Sequence, residues 1–416
     1  MLDTLSPDEL RELFKGLANP LAPQDVVAFA ATCRTIREAV TEAPHGGESE
    51  LGKLRRQSLR ARTLCLKVGR SCGEVLVADK LEWQGKGLTA NDALAVATLV
   101  LPFTSVLTTL NLYNNRIGPT GATALGDALK VNAVLNNLDI AGNDIGDAGS
   151  AALGEALKFN AVLTDLNLRF NEIGDAGAVA LGEVLKVNAV LKNLNISWNQ
   201  IGDAGAAALG EGLKVNAVLT ELNLRYNQIG DAGAAALGEG LKVNAVLTNL
   251  NLLGNQISPT GASALADALK VNAVLTNLNL LGNKIGDAGA AALGEGLTVN
   301  ALLNNLNLGF NSIGDAGATS LGEALKVNAV LNTIECAASQ HPSRRHPSRR
   351  HPSRRHPSRR HPSRCHPSRR PCTHTATPQP ARPRVCSLSY NHLGDAGKQA
   401  LLAAKEQRSG SLELEL

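Results

Sequence analysis

The sequence predicts an α/β solenoid in which short parallel strands line a concave inner face and helices line a convex outer face. The first observation is that the chain repeats itself every 28 residues from Leu107 to about Leu331. The second is that each copy joins an alternating L-x-L element to an alanine-rich segment with apolar residues at helical spacing. One such copy cannot bury its apolar face alone, so the copies must stack. Eight copies begin at Leu107, Leu135, Leu163, Leu191, Leu219, Leu247, Leu275 and Leu303.

A strand and a helix can be located within the copy from Leu219 to Val246. Leu222 and Leu224 alternate with polar residues, as in a strand that buries one face. In the following segment, DAGAAALGEGLKVN, Leu237 and Leu241 recur near helical spacing. Stacking should bury these leucines against their equivalents in the neighbouring copies, and the small Ala and Gly residues permit close packing. Since a helix is thicker than a strand, the stack should curve.

The start of each predicted helix carries its own signal. Pro119 and Pro259 occupy this position in two copies, and proline favours the first helical turn. Other copies have an acid, which suits the positive end of the helix dipole. The acids are Asp147, Asp175, Asp203, Asp231, Asp287 and Asp315.

One asparagine follows the predicted strand in every copy. We interpret this residue as structural, because an asparagine side chain can satisfy backbone groups that a tight turn leaves unpaired. The alternative is a role in ligand binding. The asparagines are Asn115, Asn143, Asn171, Asn199, Asn227, Asn255, Asn283 and Asn311.

The repeated signature L-x-x-L-x-L-x-x-N-x-I-G-D-x-G-A resembles the leucine-rich repeats of the ribonuclease-inhibitor class. That class includes Ran GTPase-activating proteins and the receptor half of nucleotide-binding leucine-rich-repeat immune receptors. The resemblance covers roughly residues 74–334 and resumes at residue 387. It implies a right-handed leucine-rich-repeat horseshoe and a surface that binds other proteins.

Residues 1–50 do not follow the repeat and resemble an F-box. They combine the opening LSPDEL, an apolar L-x-x-L-F run and the segment DVVAFAATCRTIR, in which Ile36 replaces the usual tryptophan. The resemblance implies docking to a Skp-type adaptor of a cullin–RING ubiquitin ligase. The alternative is a helical cap over the apolar end of the solenoid, which solenoids need in any case. The predicted docking residues are Pro7, Leu10, Phe14, Leu17 and Val26.

Residues 51–106 are predicted to be a transition that includes an N-terminal capping repeat, because the terminal units of a stack are usually atypical. The alternation in residues 59–68 and 72–83 is typical of strands. Residues 87–101 resemble a degenerate repeat helix. Eight full copies and the start of a ninth then occupy residues 107–334.

A low-complexity insertion interrupts the ninth copy at residues 335–386. It contains six tandem HPSRR or HPSRC units, and removing its 52 residues joins Ile334 to Ser387 in register with the repeat. We expect it to be disordered, because it lacks the apolar residues for a core. Three interpretations of this segment are open. It is an insertion without a selected role, a basic arm that binds a partner, or a metal site. The spacing of its cysteines and histidines matches no zinc pattern; these residues are Cys365, His366, Cys372 and His374.

This insertion also reverses the charge of the chain. The full sequence has a formal net charge of +4, but the insertion contains thirteen arginines and one acid, so the remainder carries −8. An acidic solenoid argues against binding nucleic acid through phosphate neutralisation. After the insertion, residues 387–416 are predicted to complete the last repeat and a C-terminal cap. Leu412, Leu414 and Leu416 alternate with glutamates there, as in an edge strand.

The predicted binding surface lies where the copies differ from one another. Phe170, Trp198 and Tyr226 hold the same position in three consecutive copies, so adjacent strands should bring them within roughly 5 Å of each other. Aromatic residues are only 3% of the chain, and aromatics and arginine are enriched at binding hot spots. The alternative is that the rings fill space where other copies have glycine. The predicted contact residues are Arg169, Phe170, Glu172, Trp198, Gln200, Arg225, Tyr226 and Gln228.

The sequence shows no nucleophile–base pair, phosphate-binding loop or metal-ligand cluster, so we predict no enzyme, no metal and no cofactor. Scattered cysteines and the absence of a signal core or an 18-residue apolar run predict a cytoplasmic or nuclear protein without a membrane partner. The predicted function is an adaptor that holds a protein client on the concave face and docks a ubiquitin ligase. The alternatives are a plain scaffold and a GTPase activator of the Ran-activating type.

Overall fold

A computed structural model describes residues 50–331 and 391–407 of the chain. In these ranges the strands form one open, parallel, nine-stranded sheet, in which the strands follow one another in chain order. Each strand is only three residues long. The strands are β1 Lys80–Glu82, β2 Thr109–Asn111, β3 Asn137–Asp139, β4 Asp165–Asn167, β5 Asn193–Asn195, β6 Glu221–Asn223, β7 Asn249–Asn251, β8 Asn277–Asn279 and β9 Asn305–Asn307.

A helix follows each strand and carries the chain back to the start of the next. A π-helical turn, Val96–Val100, continues the third helix. The helices are α1 Glu50–Val68, α2 Cys72–Leu76, α3 Ala90–Ala95, α4 Gly118–Leu129, α5 Gly146–Leu157, α6 Asp175–Leu185, α7 Asp203–Val215, α8 Asp231–Val243, α9 Pro259–Leu269, α10 Gly286–Val299, α11 Asp315–Val327 and α12 Asp395–Gln407.

The strand register reproduces the sequence repeat. Leu110 of β2 pairs with Leu138 of β3, and Leu138 pairs with Leu166 of β4. The same pairing continues along the sheet to Leu278 and Leu306. Equivalent residues therefore stand side by side in every copy, and the predicted α/β solenoid of parallel strands and alternating helices is confirmed.

The core runs along the stack between the sheet and the helices. Leu222 and Leu224 of one copy are fully buried, as are Leu237 and Leu241 of its helix. Small residues let neighbouring helices touch: a Cβ atom on Gly182 of α6 would lie 2.5 Å from the carbonyl oxygen of Ala208 in α7. Any larger residue there would push the two helices apart, so the glycine sets the spacing between copies.

The prediction of strands in residues 59–68 and at the start of residues 72–83 is wrong. Residues 59–68 lie within α1 and residues 72–76 form α2, and only Lys80–Glu82 of this region is a strand. In α1, Leu64 and Val68 lie one helical turn apart and both are buried. Over so few residues, a pattern of alternating apolar side chains fits a helix that buries one face as well as it fits a strand. The helix predicted in residues 87–101 is present as α3 and its π-helical continuation.

The repeat resumes in register after the insertion. The side-chain oxygen of Asn391 accepts hydrogen bonds from the backbone N–H groups of Asn311 and Ile313, at 2.9 and 3.0 Å. Asn311 and Asn391 are 80 positions apart, whereas Asn171 and its partner Asn199 are 28 apart. The difference equals the 52 residues of the insertion. The insertion itself and the predicted edge strand at residues 412–416 lie outside the described residues.

Candidate functional site

The asparagine that follows each strand is a buried structural element. The side-chain amide of Asn199 donates to the carbonyl oxygen of Leu168 in the preceding copy at 3.1 Å and to that of Ile196 at 3.0 Å. Its oxygen accepts a bond of 3.0 Å from the N–H of Ile173. Corresponding bonds recur from Asn115 onward. The predicted structural role of these asparagines is confirmed, and they form a continuous asparagine ladder between copies.

A second asparagine column lies on the sheet face opposite the buried leucines, and its side chains also bond to the backbone. The side-chain oxygens of Asn167, Asn195 and Asn223 accept bonds of 3.1 Å from the N–H groups two residues later in each copy. This role explains why the column hardly varies along the chain. Between β6 and β9 the same face holds a shallow depression of about 270 Å³ that is lined by asparagine side chains and the strand leucines.

Phe170, Trp198 and Tyr226 pack in succession, the first pair stacked and the second tilted by 40°, and are called the aromatic ladder below. The ring centroids of Phe170 and Trp198 are 4.8 Å apart, and those of Trp198 and Tyr226 are 4.0 Å apart. Each ring follows its strand by three residues, so the ladder lies at the carboxyl-terminal edge of the sheet. The prediction that the three rings stand side by side is therefore confirmed in its geometry.

All three aromatic residues adopt the left-handed backbone conformation. Their φ angles are 55°, 55° and 51°, a region that bulky residues rarely occupy. Neighbouring copies have glycine here, at Gly142 and Gly254, with φ angles of 63° and 68°. The turn therefore suits glycine, and the aromatic residues occupy it against their own preference.

Two arginines cover the ends of the ladder. The guanidinium carbon of Arg169 lies 4.5 Å from the centroid of the Phe170 ring and 6.0 Å from that of Trp198. That of Arg225 lies 4.7 Å from the Tyr226 ring centroid. Both distances to the nearest ring are within the range of a cation–π interaction. Burial, together with the positive charge of Arg225, lowers the pKa of Arg169 below its ordinary value.

The patch combines partial exposure with polar groups that have no partner. Phe170 is 37% exposed, and Trp198 and Tyr226 are half-buried. The indole nitrogen of Trp198 and the Nε atoms of both arginines are buried and have no hydrogen-bond partner among the described residues. Native proteins leave few such groups unsatisfied. The remaining predicted contact residues, Glu172, Gln200 and Gln228, are exposed.

The aspartates at the helix starts do more than the sequence suggested. Asp175 lies in the first turn of α6, but its Oδ1 accepts bonds of 2.7 and 2.8 Å from the N–H groups of Gly202 and Gly205, which begin the next helix. Each aspartate thus caps the helix of the following copy. A signal was available, because glycines stand 27 and 30 residues after Asp147, Asp175, Asp203 and Asp287, but only the three-dimensional structure shows that they meet.

A profile of the family described as "Leucine Rich repeat" matches eight consecutive segments of the chain. The chain is a leucine-rich-repeat protein. The matched segments are residues 105–126, 131–154, 159–182, 187–210, 215–238, 243–266, 271–294 and 299–322.

Comparison with solved structures and curated proteins adds little to this leucine-rich-repeat assignment. One similar structure is titled "Leiomodin-1 Actin-Binding Site 2 (ABS2)"; it is 24% identical, covers 35% of this chain and 86% of its own, and has a TM-score of 0.31. Another, a crystal structure of a plant ice-binding protein, is 17% identical, covers 51% of this chain and 58% of its own, and has a TM-score of 0.32. No curated protein matched the chain.

In this leucine-rich-repeat protein the aromatic ladder comes from three matched repeats. The F-box-like docking residues, from Pro7 to Val26, lie outside the described residues. No helix in residues 50–331 or 391–407 is long and apolar enough to cross a membrane. The same ranges contain no group of three or more His, Cys, Asp or Glu side chains that could hold a metal ion.

Proposed function

We propose that this protein is a non-enzymatic interaction scaffold that binds a protein client at the aromatic ladder. Leucine-rich repeats are protein-interaction modules, and a stack of repeats offers a long ordered surface. The observation that carries the proposal is the backbone strain at Phe170, Trp198 and Tyr226. Strained residues cluster at functional sites, where another gain offsets the strain.

Filling space is a weaker explanation for the three rings. Glycine occupies the same turn at Gly142, Gly254 and Gly282, so the fold tolerates the absence of a ring. A left-handed conformation costs a non-glycine residue roughly 1–2 kcal/mol, and an aromatic pair returns about 0.5–1.5 kcal/mol. Three strained residues therefore cost roughly 3–6 kcal/mol, whereas the two ring pairs return about 1–3 kcal/mol, so stacking alone does not account for three successive rings.

The position of Trp198 within the ladder supports the same conclusion. Trp198 is half-buried at the centre of the ladder, between Phe170 and Tyr226. A client bound here would cover the exposed ring edges with its apolar atoms.

The test is to replace Trp198 with alanine and compare the proteins that the full-length chain captures. Loss of a central aromatic anchor typically costs about 2 kcal/mol, which is roughly a thirtyfold loss of affinity. Val215→Ala is the matched control, because Val215 is 61% exposed at the end of α7 and away from the ladder. We expect Trp198→Ala to lose client proteins that Val215→Ala retains, with unchanged circular dichroism. Equal capture by both variants would refute the proposal.

A finer proposal, which rests on the F-box resemblance of residues 1–50, is that the scaffold couples its client to a cullin–RING ubiquitin ligase.

The second candidate is a GTPase activator of the Ran-activating type, supported by the repeat resemblance. Purified full-length protein should be mixed with a Skp-type subunit and, separately, with a Ran-type GTPase. Retention of the Skp-type subunit, lost in Leu10→Ala/Phe14→Ala, supports the ligase adaptor. Accelerated GTP hydrolysis supports the activator. If neither effect is observed, the result supports a plain scaffold.

A further inference from the structure

Arg169 and Arg225 place two positive charges two copies apart on the ladder. The two residues lie two copies apart in the same column, with Ser197 between them, because Asp165 of β4 pairs with Asn193 of β5, which pairs with Glu221 of β6. Two strand spacings amount to about 10 Å. Each guanidinium lies against a ring of the ladder.

Within the described residues, neither charge is paired in a salt bridge. Neither arginine forms a salt bridge within residues 50–331 and 391–407, although every helix-face lysine from Lys130 to Lys270 does. Asp139 acts on Arg169 only at a distance, whereas burial and Arg225 disfavour its charged form and so lower its pKa. Two half-buried cations that repel each other favour the arrival of an anion.

The geometry favours carboxylates over nucleic acid. A protein that binds single-stranded nucleic acid stacks bases on open aromatic faces. Here the face of Trp198 is shared between Phe170 and Tyr226, and guanidinium groups lie over the outer rings. An acidic peptide can meet both arginines and cover the ring edges with its aliphatic atoms.

We infer that the ladder recognises an extended acidic segment of its client, in which two carboxylates about 10 Å apart bind Arg169 and Arg225. In an extended segment of polyproline II conformation, which has three residues per turn and rises about 3.1 Å per residue, residues three positions apart lie on the same side and about 9 Å apart, so the acids should be three positions apart. The inference rests on the proposed function, because it names the chemistry of the client at the same site. It adds that charge, besides aromatic contact, selects the client.

The test is selection from a random twelve-residue peptide library displayed on phage, with the full-length protein as bait. We expect recovered peptides to be enriched in Asp and Glu, with an excess of acid pairs three residues apart. Synthetic copies of these peptides should bind at least tenfold more weakly to the Arg169→Gln/Arg225→Gln variant and more weakly at high salt. The control is Arg116→Gln/Lys284→Gln, which removes the same charge from exposed positions outside the ladder.

The outcomes separate this inference from the proposed function. Peptides that lose affinity for Trp198→Ala but not for Arg169→Gln/Arg225→Gln would leave the ladder as the site and overturn the acidic selection. Peptides that bind Trp198→Ala normally would overturn the ladder itself. An absence of recovered peptides, recovered peptides without an acidic excess, or an equal loss in the charge-matched control would also overturn the inference.

Discussion

At the scale of single residues, the asparagine ladder explains how identical copies are joined. An asparagine side chain carries two donors and an acceptor, and Asn199 uses both functions. It donates to the carbonyl oxygen of Leu168 in the preceding copy and accepts from the N–H of Ile173. Aspartate lacks the donors and leucine lacks both functions, so no residue of similar size can replace it.

The substitution Asn199→Ala should therefore destabilise the protein strongly. It leaves several buried backbone groups without partners, and each such group costs about 1–3 kcal/mol, so we expect a loss of about 3 kcal/mol or more in the free energy of unfolding. Asn195→Ala is the control, because Asn195 is only half-buried and accepts one backbone bond. Urea denaturation measures both variants. A loss below about 1 kcal/mol for Asn199→Ala would contradict the structural role of the ladder.

At the scale of elements, each helix depends on the copy before it. Asp203 and Asp231 cap the helices that follow their own, and Asp231 additionally accepts a hydrogen bond of 2.5 Å from the hydroxyl of Ser258. The copies that begin with Pro119 and Pro259 provide no such carboxylate. There the next helix begins at a glycine in the left-handed conformation, Gly146 or Gly286, whose N–H donates to the following copy instead.

This capping predicts a pH dependence at Asp231. Burial raises its pKa, but the bonds from the hydroxyl and N–H of Ser258 and from the N–H of Gly261 outweigh burial and lower it overall. A pKa lowered on folding stabilises the protein above the unfolded value of about 3.9, and that stability is lost as the pH falls through the folded value. Ser258→Ala should move the Asp231 pKa upward in a carboxyl NMR titration, with Asp231→Asn assigning the signal. An unmoved pKa would contradict this account.

The transition region shows where sequence reasoning fails for an element. Residues 59–68 alternate like a strand, yet α1 buries Ala61, Leu64 and Val68 on one helical face. The side chain of Lys67 forms a salt bridge with Asp92 of α3, at 2.5 Å, and this contact joins α1 to the N-terminal capping repeat. Such a contact between distant segments cannot be seen in a pattern of ten residues.

At the scale of the whole molecule, the stack tolerates an interruption because each copy contacts only its neighbours. The helix α12 packs on α11 although 52 extra residues separate their copies. Asp315 caps α12 as its equivalents cap earlier helices, with Oδ1 accepting from the N–H of Gly394 at 2.7 Å. The last copy is thus held by the same bonds as the others.

Deleting residues 335–386 should leave the fold intact and stabilise the last copy. The deletion shortens the connection between Leu331 and Asn391 from 59 residues to 7, and loop-closure entropy then favours the docked helix by about 2 kcal/mol. Hydrogen exchange of α12 amides measures this change against the amides of α7. Faster exchange in α12 after the deletion would contradict it.

The sequence predicts the fold well and the site only in part. Repetition reveals the strand, the turn asparagine and the helix of each copy, because a residue such as Leu222 has the same surroundings in every copy. It also reveals where Phe170, Trp198 and Tyr226 depart from glycine. The backbone strain of these residues and their unpartnered nitrogen atoms depend on angles and burial, which no spacing of residues encodes.

The central claim, that the aromatic ladder is the client-binding surface, is tested most directly through the indole N–H signals. The chain contains two tryptophans, and Trp83 is buried in the core, so it serves as an internal control. In a ¹⁵N-tryptophan-labelled sample titrated with a selected peptide or client, we predict that the Trp198 indole signal shifts and saturates while that of Trp83 stays in place. Saturating binding that leaves the Trp198 signal unmoved would contradict the claim.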